Sequence, residues 1–253
     1  MKTNYILALS GNDIFSGGGL HADLTTYTVH KLHGFVAVTC LTAMTEKGFE
    51  VFPTDSAIFA QQLTSLKNVP FSAIKIGLLP NVEIAEQALE VIQAHQDIPV
   101  VLDPVLVCKE THDTEVSQLR DELLKFFPYV TIITPNLAEA QLLIQRDIQT
   151  VEEMKQAARD LYELGAKHVV IKGGNRVDKD KAIDVYYDGQ TIEVLESPIL
   201  TSNNVGAGCT FASSIASQLL LGKDPLEAVR LSKEFVYRAI ETSDEYGVVQ
   251  YEK

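Results

Sequence analysis

Apolar and polar positions along the chain alternate between two kinds of segment. Short apolar runs ending in glycine or a polar turn predict strands over 5–10, 35–42, 51–52, 73–77, 99–107, 129–133 and 168–171. Longer stretches between them repeat apolar residues at helical spacing and predict helices over 20–32, 57–66, 81–95, 116–127, 150–164, 209–221 and 225–241. The 99–107 run is nearly all apolar, as a parallel strand covered on both faces should be. Segments 182–187 and 191–195, joined by Asp188-Gly189-Gln190, predict a β-hairpin, and the polar stretch Thr45-Glu46-Lys47-Gly48 a small flap. Strand–helix alternation of this kind specifies an α/β fold. We expect a doubly wound, largely parallel sheet with right-handed crossovers and helices on both sides, in one domain spanning 1–253.

Charge and cysteine usage narrow the class of protein. A formal charge of −13 argues against nucleic acid and anionic membrane surfaces as partners. No run approaches the ~18 apolar residues of a membrane span, and the apolar run after Asn4 is too short for a signal sequence. Three cysteines, Cys40, Cys108 and Cys209, are odd in number and far apart, which fits reduced cytoplasmic thiols. The six histidines are scattered without zinc-ligand spacing.

Several predicted strands run into turns able to carry chemistry, and a doubly wound sheet gathers such turns at one edge. The segment Asn204-Val205-Gly206-Ala207-Gly208-Cys209-Thr210 opens an apolar helix. Gly206 and Gly208 permit φ values closed to other residues, so N–H groups can converge where the helix leaves its own first donors unpaired. That makes an anion site, with Cys209 on its rim placed to ionise more easily than a free thiol. The alternative is a glycine turn entering a buried helix with Cys209 as a small core residue. A dinucleotide fingerprint is excluded because Phe211 stands where a third Gly or Ala is needed, and a Walker A loop because Gly-Lys-Ser/Thr is absent.

The turn after the first strand holds Gly11, Gly17, Gly18 and Gly19, more glycine than a tight turn needs. Asp103 lies within an apolar strand, where an aspartate without a task is costly, so a role at the strand's C-terminal end is expected. Asn136 and Glu139 share the first turn of a helix; the spacing suits equally a capping box and a pair of oxygen ligands near Mg²⁺. Lys172-Gly173-Gly174 ends another strand with a cation. Cys108 stands at the end of the strand bearing Asp103, next to Lys109.

Taken in order, five stretches resemble the ribokinase-like superfamily over nearly the whole chain. They are Ser10-Gly11-Asn12-Asp13 with Ser16-Gly17-Gly18-Gly19 and Ala22-Asp23-Leu24; Val101-Leu102-Asp103-Pro104-Val105; Thr134-Pro135-Asn136-Leu137-Ala138-Glu139-Ala140; Lys172-Gly173-Gly174; and Gly206-Ala207-Gly208-Cys209-Thr210. Within that superfamily the chain is similar to the B-vitamin branch of hydroxymethylpyrimidine (phosphate) kinases and bacterial pyridoxal kinases. The resemblance implies ATP and Mg²⁺ as cofactors, a small-molecule substrate and a homodimer. It implies that Gly206, Ala207 and Gly208 form the anion hole for the transferring phosphate and that Cys209, an aspartate in most of the superfamily, is the base. It places Asp103 and Glu139 at the metal, Asn136, Glu139, Lys172, Gly173, Gly174, Asp184 and Gly208 at ATP, and Ser10, Asn12, Asp13, Gly18 and His21 at the alcohol substrate. This chain has Ile14-Phe15 where the family usually has Pro-Ser or Ser-Ser, and His21 where it usually has glutamine.

The Val107-Cys108-Lys109 run looks like the pyridoxal-kinase subgroup. A thiolate adds to an aldehyde, and pyridoxal alone among the candidate substrates carries one, so Cys108 is expected to capture it reversibly. The leading expectation is therefore an ATP-dependent kinase acting on the hydroxymethyl group of pyridoxal or pyridoxine. The same chemistry on hydroxymethylpyrimidine or its phosphate is the alternative, and a nucleotide or vitamin sensor without turnover is a third.

Overall fold

In the computed structural model, residues 3–106 and 113–251 are described, those at 113–115 by backbone only. Ten strands alternate with helices: β1 Tyr5–Ser10, α1 Gly19–Val29, β2 His33–Val38, β3 Cys40–Thr45, β4 Gly48–Pro53, α2 Ser56–Leu66, β5 Ala73–Ile76 and α3 Val82–Gln93 come first. They are followed by β6 Val100–Leu102, α4 Asp113–Leu124, β7 Ile132–Ile133, α5 Leu137–Ile144, α6 Val151–Glu163, β8 Val169–Gly174, β9 Lys181–Tyr187, β10 Ile192–Pro198, α7 Ala207–Leu220 and α8 Pro225–Glu241. Eight strands form one sheet in the order β10-β9-β8-β7-β6-β5-β1-β2, and β3-β4 form a separate antiparallel pair. From β2 to β8 the neighbours are parallel; the β9–β10 hairpin closes one edge antiparallel.

Alternation along the strands feeds two cores. Leu7, Leu9, Ile74, Ile76, Val100 and Leu102 pack beneath α2–α6, where Phe59, Ile84, Leu123, Leu143 and Met154 meet them. Ile6, Ala8, Val101, Ile132 and Val170 point the other way, against Tyr27 of α1, Phe211 and Ile215 of α7 and Val229 of α8. The chain leaves β1 toward β2, then returns to β5 on the far side of β1 and continues outward. A fixed crossover hand then requires α1 on one face and the later connecting helices on the other. The reversal leaves a crevice above the C-terminal ends of β1 and β5, where open α/β sheets hold ligands.

Several expected boundaries shift. The apolar run 35–42 is two strands: the chain leaves the sheet at Thr39, and β3 continues into the flap. The flap is this β3–β4 hairpin itself, with 45–48 as its turn. The strand expected over 99–107 ends at Leu102, so Asp103 stands just past the sheet, and α7 begins at Ala207, not at Cys209.

Candidate active site

The anion loop is built at the start of α7. Gly206 takes φ +83°, and a methyl placed on it would lie 1.5 Å from the carbonyl oxygen of Gly17. Only glycine fits there, because both the backbone conformation and the close approach exclude a side chain. Gly208 is otherwise than expected: it is an ordinary helical residue, and what it supplies is space. A methyl on Gly208 would sit 3.3 Å from Lys172 Nζ and 3.9 Å from Asp103 Oδ2, so lysine, carboxylate and helix start converge on one point. Thr210 N–H is the first to bond back into the helix, to Gly206 O at 2.9 Å. The N–H groups of Gly208 and Cys209 therefore lack an intrahelical acceptor and are open to an anion.

Cys209 corrects an expectation. Its thiol is pushed up from the ordinary value by burial, Lys75 pulls it down, and Asp23 and Asp103 push it up again. The helix N-terminus does not by itself make this thiol acidic, because removal from water penalises the thiolate more strongly. Its sulphur lies close to Gly18, and the neighbouring Gly19 N–H favours the thiolate.

Across the anion loop, Lys172 Nζ donates to Asp103 Oδ1 at 2.8 Å, and Thr134 Oγ1 donates to the same oxygen at 3.1 Å. Burial pushes the Lys172 ammonium down, but Asp103 and Glu139 lift it above its ordinary value, so it stays charged. Asn136 and Glu139 do form a capping box: Asn136 Oδ1 accepts Glu139 N–H at 2.9 Å, and Glu139 Oε2 accepts Asn136 N–H at 2.7 Å. Burial raises the Glu139 carboxyl to about 7, with Lys172 opposing and Asp103 adding to the rise.

Two crowded carboxylates of this kind suit a divalent cation, which would relieve their mutual repulsion. Among the described residues no group of three or more His, Cys, Asp or Glu side chains is gathered for a metal. A carboxylate pair is enough for Mg²⁺ when nucleotide phosphates and waters complete its shell.

Beside this cluster opens a cavity of about 380 Å³ lined by Asn136, Lys172, Gly173, Gly174, Asp184 and Gly208 of the expected residues. Asp184 Oδ1 accepts Gly173 N–H at 3.1 Å, and its other oxygen receives Lys233 Nζ at 2.7 Å. Lys233, on α8, gave no signal in the sequence beyond a charge on an amphipathic helix. The lining also includes apolar Pro198, Ile199, Val236 and Ile240. The cavity thus offers both charged and apolar lining.

The opening loop is the other wall of the crevice. Asp13 folds its carboxylate back onto the loop, accepting Phe15 N–H at 3.0 Å and Gly18 N–H at 2.8 Å. Asn12 Oδ1 accepts Thr42 N–H of β3 at 2.6 Å, tying loop to flap. In this structure both residues organise the loop. Ser10 is buried at the end of β1. His21 is exposed on the first turn of α1. Cys108 and Lys109 lie outside the described residues. The chain's end also contributes, which the sequence did not suggest: Phe15 stacks on Tyr246, and Gln250 Nε2 donates to Thr210 Oγ1 at 3.0 Å.

A buried ion pair lies beneath the crevice. Lys75, wholly buried on β5, donates to Asp23 Oδ1 of α1 at 2.8 Å. A lone lysine between isoleucines in a strand covered on both faces was the available signal, since such a charge requires a partner.

The family model for phosphomethylpyrimidine kinase matches residues 13–252. A pyridoxine kinase of Bacillus subtilis (strain 168) is 39% identical over 253 residues, covering 96% of this chain and 92% of that protein. A hydroxymethylpyrimidine/phosphomethylpyrimidine kinase of Aquifex aeolicus is 34% identical over 246 residues, covering 95% and 96%. The pyridoxal kinase of Staphylococcus aureus, solved with pyridoxal, superposes with a TM-score of 0.90 at 36% identity, covering 98% of this chain and 93% of that one; it has also been solved with AMP-PCP.

Proposed function

The chain belongs to the phosphomethylpyrimidine kinase family and has the ribokinase-like fold, and on that premise we propose that it is an ATP-dependent kinase phosphorylating the hydroxymethyl group of pyridoxal or pyridoxine. The observation that carries this reading is the meeting of Lys172, Asp103 and the open start of α7 at Gly208, beside the cavity. ATP lies with its phosphates there and its adenine against the apolar lining. Phosphoryl transfer through a loose transition state asks chiefly for positioning and charge stabilisation. The N–H groups of Gly208 and Cys209 hold the transferring phosphoryl oxygens, and Lys172 meets their charge. Asp103 and Glu139 would hold Mg²⁺, which would neutralise phosphate charge. The opening loop presents the alcohol from the opposite side, with Asp13 keeping Gly18 and Gly19 close under Cys209. Cys209 takes the hydroxyl proton as it is released late in the transfer. The thiol's raised affinity for a proton suits it to receive one, while loss of its own proton beforehand needs help.

The domain spans 1–253 and works in the cytoplasm as a homodimer, with neither nucleic acid nor membrane as partner. Among the described residues no helix is long and apolar enough to cross a membrane. Exposed Leu41 and Phe52, directly paired across the β3–β4 hairpin, supply an apolar face for the second copy. Hydroxymethylpyrimidine as substrate remains the second reading, supported by the Aquifex relative.

The deciding measurement is ADP release with Mg-ATP across pyridoxal, pyridoxine, pyridoxamine and hydroxymethylpyrimidine. Turnover favouring the B6 vitamers supports the proposal; hydroxymethylpyrimidine as best substrate transfers it to the second reading, and vitamer binding without ADP release indicates a sensor. In the same assay Cys108→Ala should impair pyridoxal far more than pyridoxine if the thiol captures the aldehyde.

A further inference from the structure

The buried pair Asp23–Lys75 is tied through Ser213 to the helix that carries the proposed base, and the reading of Cys209 as that base is the premise here. We propose that Lys75 is a positioning residue for the Cys209 thiolate: its ammonium, anchored by Asp23 under the anion loop, supports the negative charge that Cys209 carries before it accepts the substrate proton.

Three elements bring these groups together. Cys209 and Ser213 are four residues apart on α7 and so share a face. Ser213 Oγ donates to Asp23 Oδ1 at 2.6 Å, the same oxygen that receives Lys75 Nζ at 2.8 Å. That face of α7 is thus turned onto the start of α1, where Gly19 N–H also favours the Cys209 thiolate. Lys75 extends upward along β5: a methyl on Gly77 would lie 2.8 Å from its Nζ and 3.2 Å from Ser10 Oγ. The absence of a side chain at Gly77 leaves the ammonium its place at the C-terminal ends of β1 and β5, the floor of the crevice.

A structural bridge alone is a poor explanation for the pair. Buried ion pairs contribute little net stability compared with apolar packing. Here the second oxygen, Asp23 Oδ2, is buried with no hydrogen-bond partner among the described residues, which a bridge selected for stability would avoid. Burial alone would push the Lys75 ammonium down, but the Asp23 carboxylate lifts it above its ordinary value, so the charge is permanent. The groups facing Cys209 are Lys75 from β5, Asp23 and Tyr27 from α1, Asp103 after β6, Lys172 from β8 and Asp13 in the opening loop. Tyr27 is held protonated by burial and by Asp23, and is therefore neutral. Asp103 is already engaged by Lys172. Of the cations around the thiol, Lys75 opposes its burial most strongly, while Lys172 is engaged chiefly by Asp103.

The test follows the thiol itself. The rate of Cys209 alkylation by iodoacetamide is measured against pH by peptide-resolved mass spectrometry in the full chain, beside kcat and the KM for ATP. Lys75→Met should move the Cys209 profile to higher pH, lowering the rate near neutrality by ~10-fold or more, one unit of pKa being tenfold in thiolate. The acidic limb of kcat should move the same way with the KM for ATP unchanged, and Lys75→Arg should restore most of both. A Cys209 profile in folded Lys75→Met that superimposes on wild type overturns the proposal. If that variant does not fold, Lys75→Gln, which keeps a hydrogen-bond donor toward Asp23 while removing the positive charge, is read by the same criterion. Failure of the base reading shows elsewhere, as undiminished turnover in Cys209→Ala, while the alkylation profile still reports whether Lys75 supports the thiolate.

Discussion

Cys209 is the residue where opposed influences meet. Burial favours the thiol, Lys75 favours the thiolate, and the N–H groups of Gly208 and Cys209 beside it are left without an intrahelical acceptor. A proton acceptor so placed is worth roughly 10²–10⁴ in rate. Cys209→Ala should lower kcat by about that much and leave ATP binding, measured as the KM for ATP, near wild type. Unchanged kcat would remove the thiol from the reaction and leave the anion site alone. Cys40 makes a useful contrast: burial pushes its thiol up to about 11, and it lies against Gly11 at the end of β1 without facing the anion loop.

Among the elements, α5 shows how one short helix can serve two purposes. Its capping box satisfies the end of the helix, and the same Glu139 carboxylate lies within the field of Lys172 and Asp103. Glu139→Gln keeps an oxygen able to accept the Asn136 N–H but removes the charge. We expect the Mg²⁺ concentration for half-maximal activity to rise while the melting temperature changes little. A fall in melting temperature with unchanged Mg²⁺ dependence would assign Glu139 to the cap alone. The start of α7 makes a second element-scale prediction. Gly206 occupies the left-handed region and packs onto Gly17, which in turn meets Gly247 near the chain's end. Placing alanine there costs ~1–2 kcal/mol in backbone conformation before any clash is counted. Gly206→Ala should therefore lower the unfolding free energy by ~2 kcal/mol or more in urea titration, and should weaken ATP binding because the anion loop must shift.

At the scale of the whole molecule, exposed Leu41 and Phe52 lie paired on one face of the flap hairpin. Sedimentation should give a mass of two chains, and Phe52→Glu should shift it toward one; a single chain for the wild type would remove the homodimer. What was legible from the amino-acid order alone was whatever local backbone chemistry dictates. Apolar runs closing on glycine marked the strands, caps such as Asn136 marked helix starts, and the glycine turns identified the loops that carry chemistry. A parallel sheet then had to bring those turns to one edge, so Asp103, Lys172 and Gly208 could be grouped before their contacts were known. The contacts between distant elements were not legible. Lys75 and Asp23 are 52 residues apart, and Lys233 and Asp184 are 49 apart. Each pairing depends on which helix covers which face of the sheet. The same packing removed Cys209 from water and reversed the direction in which its thiol shifts. Local sequence determines where the chain turns and which donors are left open, whereas burial and long-range charge pairing exist only once the layers have closed on one another.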